Sequence, residues 1–369
     1  MGRAVKSLLK PRLDWLLVFV PAAVLLEHLW PEAQALTFVA ASLAIIPLAG
    51  WMGRATEHLA ERTGEGLGGL LNATFGNAAE LIIALAALQR GLHDVVKASL
   101  TGSIIGNILL VLGGAMVAGG VRHKVQKFSA PGARSQASML TLAAIALVVP
   151  AAYHYLGGRE AFLHETGLSL EISVVLLVTY GLSLLFSLRT HRHFFTGPAA
   201  ELGEIEGREA HAAPWSLRKS LLVLAVATAL VAWVSEILVG AVEPAAKAFG
   251  MTGVFVGIIV VAIIGNAAEH STALLAALRN RMDLSIGIAV GSSIQIALFV
   301  APVLVLASLV LGPKPMDLVF TLPEILAVVV SVAIAGQVTS DGESHWLEGV
   351  QLLSVYVILA MVFYFLPAG

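Results

Sequence analysis

Apolar residues along the chain fall into runs of roughly 18 to 26, separated by short polar stretches. A run of that length spans a hydrocarbon core as a helix. The pattern predicts eleven membrane helices, at about 14–30, 36–53, 66–88, 98–119, 137–156, 170–188, 220–240, 253–278, 286–310, 320–338 and 346–366. Breakers mark the divisions: Trp30-Pro31, Gly64, Gly119-Gly120, Gly157-Gly158, and Gly312-Pro313 with Pro315. Composition agrees with this reading. The chain is 58% hydrophobic and 12% charged, against about 25% charged in a soluble domain. The expected fold class is an all-α polytopic membrane protein.

Within these runs one polar string occurs twice. Gly76-Asn77-Ala78-Ala79-Glu80 reappears as Gly265-Asn266-Ala267-Ala268-Glu269, an offset of 189. The same offset carries Gly68 onto Gly257, Ala84-Leu85 onto Ala273-Leu274, Arg90 onto Arg279, Asp94 onto Asp283 and Gly102-Ser103 onto Gly291-Ser292. An ungapped match over about forty residues is the mark of a duplication. The expected organisation is a leading helix (1–31), a first five-helix repeat (32–188), a polar linker (189–218) and a second five-helix repeat (219–369). Five is odd, so the repeats have opposite topology. Inverted repeats of this kind build secondary transporters, with the site near the midplane between them.

Charge sets the orientation. With the N-terminus in the cytoplasm, seventeen Lys and Arg fall on inside segments and five on outside ones, which accounts for all 22. The bias places the N-terminus inside and the C-terminus outside. The net charge of −2 gives no case for nucleic acid, and the absence of cysteine excludes disulfides and thiolate metal sites. Arg3, Lys6, Lys10 and Arg12 before an apolar run, with Ala33-Gln34-Ala35 after it, resemble a secretory signal. The run is long for one, and an uncleaved first helix is the preferred reading. The linker holds Glu201, Glu204, Glu206 and Glu209 among His191, His193 and His211. It reads either as a solvated connection or as an acidic amphipathic helix that senses cations.

The repeated string carries the candidate chemistry. A carboxylate in mid-bilayer costs several kcal/mol, and two at equivalent places are hard to ascribe to accident. Asn77 and Glu80 are i,i+3 and share a helix face, as do Asn266 and Glu269. Gly76 and Gly265 can kink the helix and free backbone carbonyls, which is tolerated in a membrane where a cavity is lined. Two carboxylates, two carboxamides and a few carbonyls form an all-oxygen set, which suits a hard cation such as calcium. Zinc or copper would call for nitrogen or sulfur. Two carboxylates neutralise one divalent ion. With the ion gone, two buried anions repel one another, and proton uptake relieves that cost. Cation and protons then compete for the same oxygens, which is antiport in outline.

Other polar residues in apolar runs are second candidates. Ser103 and Ser292 suit either close packing or ligation, and Gln295 suits a polar role. His270 suits interhelical hydrogen bonding, gating or proton handling. Glu236 has no equivalent acid one offset away and reads as a proton-path or supporting group, or as a structural ion pair. Glu57 and Glu61 read as interfacial charges or an entrance.

Asn72-Ala73-Thr74-Phe75-Gly76-Asn77-Ala78-Ala79-Glu80-Leu81 and Gly265-Asn266-Ala267-Ala268-Glu269-His270 resemble the two repeat motifs of the calcium/proton exchanger (CAX) family of the calcium/cation antiporter superfamily. The resemblance covers essentially the whole chain. It implies a Ca²⁺/H⁺ antiporter that exports calcium by alternating access. Glu80 and Glu269 would be the ion-binding, proton-exchanging acids. Asn77, Asn266, Gly76 and Gly265 would assist them, and Gln295 would lie near the site. No cofactor is expected beside the transported ion. Partners would be Ca²⁺, H⁺ and the lipid bilayer, with a homo-oligomer compatible. The missing long N-terminal extension of plant members fits a prokaryotic plasma membrane. The linker resembles the family's acidic helix, diluted by Arg208 and histidines. The rival reading is a sodium-coupled calcium exchanger or a monovalent cation/proton antiporter on the same fold. No Gly-x-Ser-x-Gly or His-Glu-x-x-His string supports an enzyme.

Overall fold

The computed structural model describes residues 13–63, 65–191 and 215–367. The acidic part of the linker, including Glu201 to Glu209, lies outside the described residues. Thirteen helices are described. They are α1 (Phe19–Leu29), α2 (Gln34–Thr63), α3 (Glu65–Phe75), α4 (Ala78–Gln89), α5 (His93–Arg122), α6 (Ala130–Leu156), α7 (Gly158–Leu185), α8 (Leu217–Ala248), α9 (Gly253–Gly265), α10 (Ala267–Leu278), α11 (Met282–Ala307), α12 (Leu322–Val338) and α13 (Trp346–Phe365). Two short strands, β1 (Gln126–Lys127) and β2 (Glu343–Ser344), pair antiparallel and join the α5–α6 and α12–α13 loops.

Among the described residues seven helices are long and apolar enough to cross a membrane, and eight when the bent pair α9–α10 counts as one span. The eleven expected segments each meet a helix, but three fall short of that length. Residues 14–30 form a 3-10 turn followed by an 11-residue helix. Residues 66–88 are split into α3 and α4, and α12 has 17 residues. Gly119-Gly120 also departs from expectation. It does not break a helix, because α5 continues to Arg122. The two glycines instead let the α5 end lie against Gln126 and the backbone of Trp346. Apolar length alone does not distinguish a breaking Gly pair from a packing one.

The duplication holds to the residue. Helices α4 and α10 both have 12 residues, and their bounds differ by the sequence offset. The turns after them share a left-handed residue at equivalent places, Gly91 (φ 74°) and Asn280 (φ 60°). Asn tolerates that conformation better than other non-Gly residues. Contacts also show the inversion. Helix α5 begins beside the end of α4. Its far end meets the end of α10, where Gln126 Nε2 donates to Ala277 O (2.8 Å) and His123 Nε2 lies 3.3 Å from Leu278 O. The C-termini of α4 and α10 therefore sit at opposite ends of a 30-residue helix, about 45 Å long.

Helices α5 and α11 form the centre and are mostly buried, while α7 and α13 are peripheral and mostly exposed. Helix α2 packs along α8, α5 against α9, α10 and α13, and α11 against α7. Side chains cap several starts. Ser129 accepts from Gly132 N, Ser216 from Lys219 N and Thr252 from Phe255 N, while Thr321 and Glu324 form a capping box.

Candidate ion-binding site

Both repeated strings sit at helix breaks. Helix α3 stops before Gly76, and Asn77 precedes α4. Helices α9 and α10 meet at Asn266 with a bend of 62°. Glu80 and Glu269 fall in the first turns of α4 and α10. The turn before each break leaves carbonyls without intrahelical donors, and the turn after it leaves N–H groups. The two helix N-termini converge. The carboxylate of Glu80 lies against Gly265, where an added Cβ would stand 3.2 Å from Glu80 Cγ. Glycine at 265 therefore admits the acid of the other repeat. Glu80 and Glu269 lie close enough to interact electrostatically.

A chain of side-chain hydrogen bonds surrounds the two acids. Asn77 Nδ2 donates to Gln295 Oε1. Ser292 Oγ lies 2.8 Å from Asn77 Oδ1 and 3.4 Å from Glu269 Oε2, with one proton to give. Asn107 Nδ2 donates to Ser292 Oγ (3.0 Å) and Asn266 Oδ1 (3.2 Å). Asn266 Nδ2 donates to Ser103 Oγ and to Ala262 O, both at 2.9 Å. The chain thus runs from α11 through both breaks to α5 and links the two repeats.

Asn77, Asn266, Ser103, Ser292 and Asn107 are all buried. So is Glu80, and neither of its carboxylate oxygens has a hydrogen-bond partner among the described residues. A buried carboxylate left unpaired is costly. A cation or a proton at these oxygens would satisfy them. Among the described residues no group of three His, Asp or Glu surrounds a common point. The polar atoms nearest the two acids are carboxamide and hydroxyl groups, those of Asn77, Asn266 and Ser292.

The structure brings together Glu80, Glu269, Asn77, Asn266, Gly76, Gly265, Ser103, Ser292 and Gln295. Glu236 goes elsewhere. Its Oε2 pairs with Arg90 Nε at 3.3 Å, at the α4–α8 contact. His270 follows Glu269 in α10 and is half-buried. Asn107 was not singled out from sequence. It stands four residues after Ser103 on the same helix face, in a π-helical stretch, Gly106–Val111. Its equivalent one offset away is Ile296, so the repeat comparison passes over it. The i,i+4 spacing from Ser103 was the available signal.

The family model for the sodium/calcium exchanger protein matches residues 33–189 and again 219–365. A protein of Aphanothece halophytica called a Ca(2+)/H(+) antiporter is 47% identical over 365 residues, covering 95% of this chain and 96% of that one. The Bacillus subtilis Ca(2+)/H(+) antiporter ChaA is 45% identical, covering 94% of this chain and 97% of its own. Among solved structures, native YfkE superposes with a TM-score of 0.81 at 40% identity, covering 96% of this chain and all of that one. The H⁺/Ca²⁺ exchanger CAX, at 16% identity and a TM-score of 0.67, shares the fold. Two family-model matches, one on each repeat, and relatives aligned from end to end place the chain in the sodium/calcium exchanger protein family.

Proposed function

We propose that the protein is a Ca²⁺/H⁺ antiporter that exports calcium from the cytoplasm by alternating access. The observation that carries this reading is the pair Glu80 and Glu269, set close together where two helix breaks converge, with Glu80 buried, its oxygens unpartnered among the described residues, and Glu269 half-buried. One divalent ion balances both charges. Asn77 and Asn266 Oδ1, Ser292 Oγ and carbonyls of the breaks are the supporting oxygens, and their number suits the coordination of calcium. Two protons balance the same charges when the ion leaves, so the two cargoes exclude one another. The full-length resemblance to proteins called Ca(2+)/H(+) antiporters supports the same cargo.

We place eleven crossings in the membrane, counting α3–α4 and α9–α10 as broken spans, with the two acids at mid-depth. The charge bias puts the N-terminus and the α10–α11 turn, with Arg279 and Arg281, in the cytoplasm. A prokaryotic plasma membrane suits the bacterial relatives. The linker, between the repeats, would then lie on the cytoplasmic side.

Transport in everted vesicles with an imposed pH gradient tests the reading. Added Ca²⁺ collapses the gradient and Na⁺ does not. Calcium uptake that follows a sodium gradient after the pH gradient is dissipated would establish the sodium-coupled alternative instead. Glu80→Gln and Glu269→Gln each reduce exchange at least about a hundredfold, since neither half site balances the ion alone. Competition also fixes the sign of the pH dependence. As pH falls, protons occupy the oxygens and the half-saturating Ca²⁺ concentration rises, by up to about tenfold per pH unit for each competing proton. A pH-independent half-saturation would break the shared-site mechanism.

A further inference from the structure

At the end of the molecule where α4 finishes, helices α4, α5, α8 and α9 close over a void of about 10 Å³. That is barely the space of one water. Its lining is Ile83, Val96, Leu238, Val239, Val242 and Val261, with Ser99 the one polar side chain among smaller apolar ones. At the rim of the same α4–α8 seam sits Arg90. Its Nε lies 3.3 Å from Glu236 Oε2, and its Nη2 donates to the Glu236 carbonyl at 3.1 Å. Gly240, one turn along α8, leaves room for the guanidinium. A Cβ there would stand 2.8 Å from Arg90 Nη1. Side chain, backbone and a glycine notch on α8 thus all receive one arginine from α4.

From this arrangement we infer that the α4–α8 seam is the second gate of the transporter. An apolar plug seals it, and Arg90 on Glu236 latches it. The inference rests on the alternating-access reading above and supplies its missing route. Glu80 lies at the start of α4 and the seam at its end, so parting α4 from α8 would give an ion a way from the acids toward this end. The apolar lining gives an ion nothing to bind while the seam is shut. The latch must be weak to serve turnover. Both side chains are 43% exposed, and ion pairs of that exposure shift an equilibrium by about two- to fivefold.

The native chain has no cysteine, so a single Val239→Cys reports on the plug. The reagent is a water-soluble maleimide acting on the purified full-length protein, and labelling needs no transported ion. Labelling is slow with the latch intact. Arg90→Gln speeds it about two- to fivefold, Glu236→Gln somewhat less because the backbone bond remains, and the double charge swap Arg90→Glu with Glu236→Arg returns it toward the parent rate. Ser271→Cys, exposed on α10 away from the seam, serves as the second reporter. Its labelling should not rise in Arg90→Gln. An unchanged rate at Val239→Cys, a double swap as fast as Arg90→Gln, or an equal rise at Ser271→Cys would each overturn the latch. A protein that fails to exchange calcium yet shows the expected pattern would refute the transport reading and keep the gate.

Discussion

Gly102 and Gly291 occupy equivalent places in the two repeats, and their surroundings differ completely. A Cβ on Gly102 would overlap the backbone carbonyl of Ile258, because α9 lies directly on α5. A Cβ on Gly291 would meet nothing within 4 Å among the described residues. The glycines at the breaks differ in the same sense: Gly265 is buried and Gly76 is exposed. Glu80, in the first turn of α4, is buried, while Glu269, in the first turn of α10, is partly open. One broken helix is therefore docked on its central helix, and no matching contact is made by its counterpart among the described residues. Near-identical local sequence in two environments means that packing decides the difference. An inverted repeat that adopts unlike packings in its halves can reach the opposite state by exchanging them. The more exposed members of the equivalent pairs, Gly76 and Glu269, lie at the end of α3 and the start of α10, the side that faces the cytoplasm in the orientation proposed above.

The strongest way to break this comparison is to fill the empty glycine. If α3 must dock on α11 as α9 docks on α5, a side chain at Gly291 blocks a state other than the one described. Gly291→Leu should then leave thermal stability nearly unchanged and lower calcium transport at least about tenfold. Gly102→Leu should behave in the opposite way. It overpacks a formed contact, costs about 1–3 kcal/mol and lowers the melting temperature by several degrees. Full transport in Gly291→Leu would show that α3 never makes the mirror contact.

A smaller effect is expected at Asn107, the hinge of the polar chain between the repeats. Its amide holds both Ser292 and Asn266. Asn107→Ala leaves two buried oxygens without their donor, at about 1–3 kcal/mol in the site. The half-saturating Ca²⁺ concentration should rise about fivefold to tenfold, with maximal rate less affected. Isothermal titration with Ca²⁺ measures this directly, and unchanged affinity would remove Asn107 from the site's support.

Much of this architecture was legible before the structure. The offset that equated Glu80 with Glu269 is kept by the bounds of α4 and α10, although apolar length alone reads each broken pair as one run, 66–88 and 253–278. Gly76 and Gly265 were legible as kinks, since a glycine and a polar pair interrupt an otherwise apolar helix. Asn107 was not, because it breaks the symmetry that revealed the rest. Nor was the fate of Glu236. Its pairing with Arg90 depends on α8 meeting α4, a contact between repeats that no periodicity encodes. The number of full-length spans was not legible for a related reason. The site needs broken helices, and breaking them leaves pieces such as α3 and α4 too short to register.

The smallest prediction concerns what does not differ between the halves. At one end Lys97, near the start of α5, reaches Asp317 Oδ1 (2.6 Å) and Val319 O (2.8 Å) in the α11–α12 loop. At the other end Asp283, at the start of α11, accepts from Ser129 N (2.6 Å) after the α5–α6 loop. The residues differ, but each central helix is tied to a loop of the other repeat's central helix. Both ties are made in the same structure, although among the described residues only one broken helix is docked. Helices α5 and α11 thus form a frame tied alike in both halves, and the asymmetry lies in the broken helices packed against it. Lys97→Met and Asp283→Ala should each cost about 1 kcal/mol, a fall in melting temperature on the order of 1–3 °C. Transport should stay within about twofold of the parent in both, because neither tie is exchanged during turnover. A tenfold loss in either variant at normal stability would mean that the frame itself rearranges, and the exchange of packings would then extend to α5 and α11.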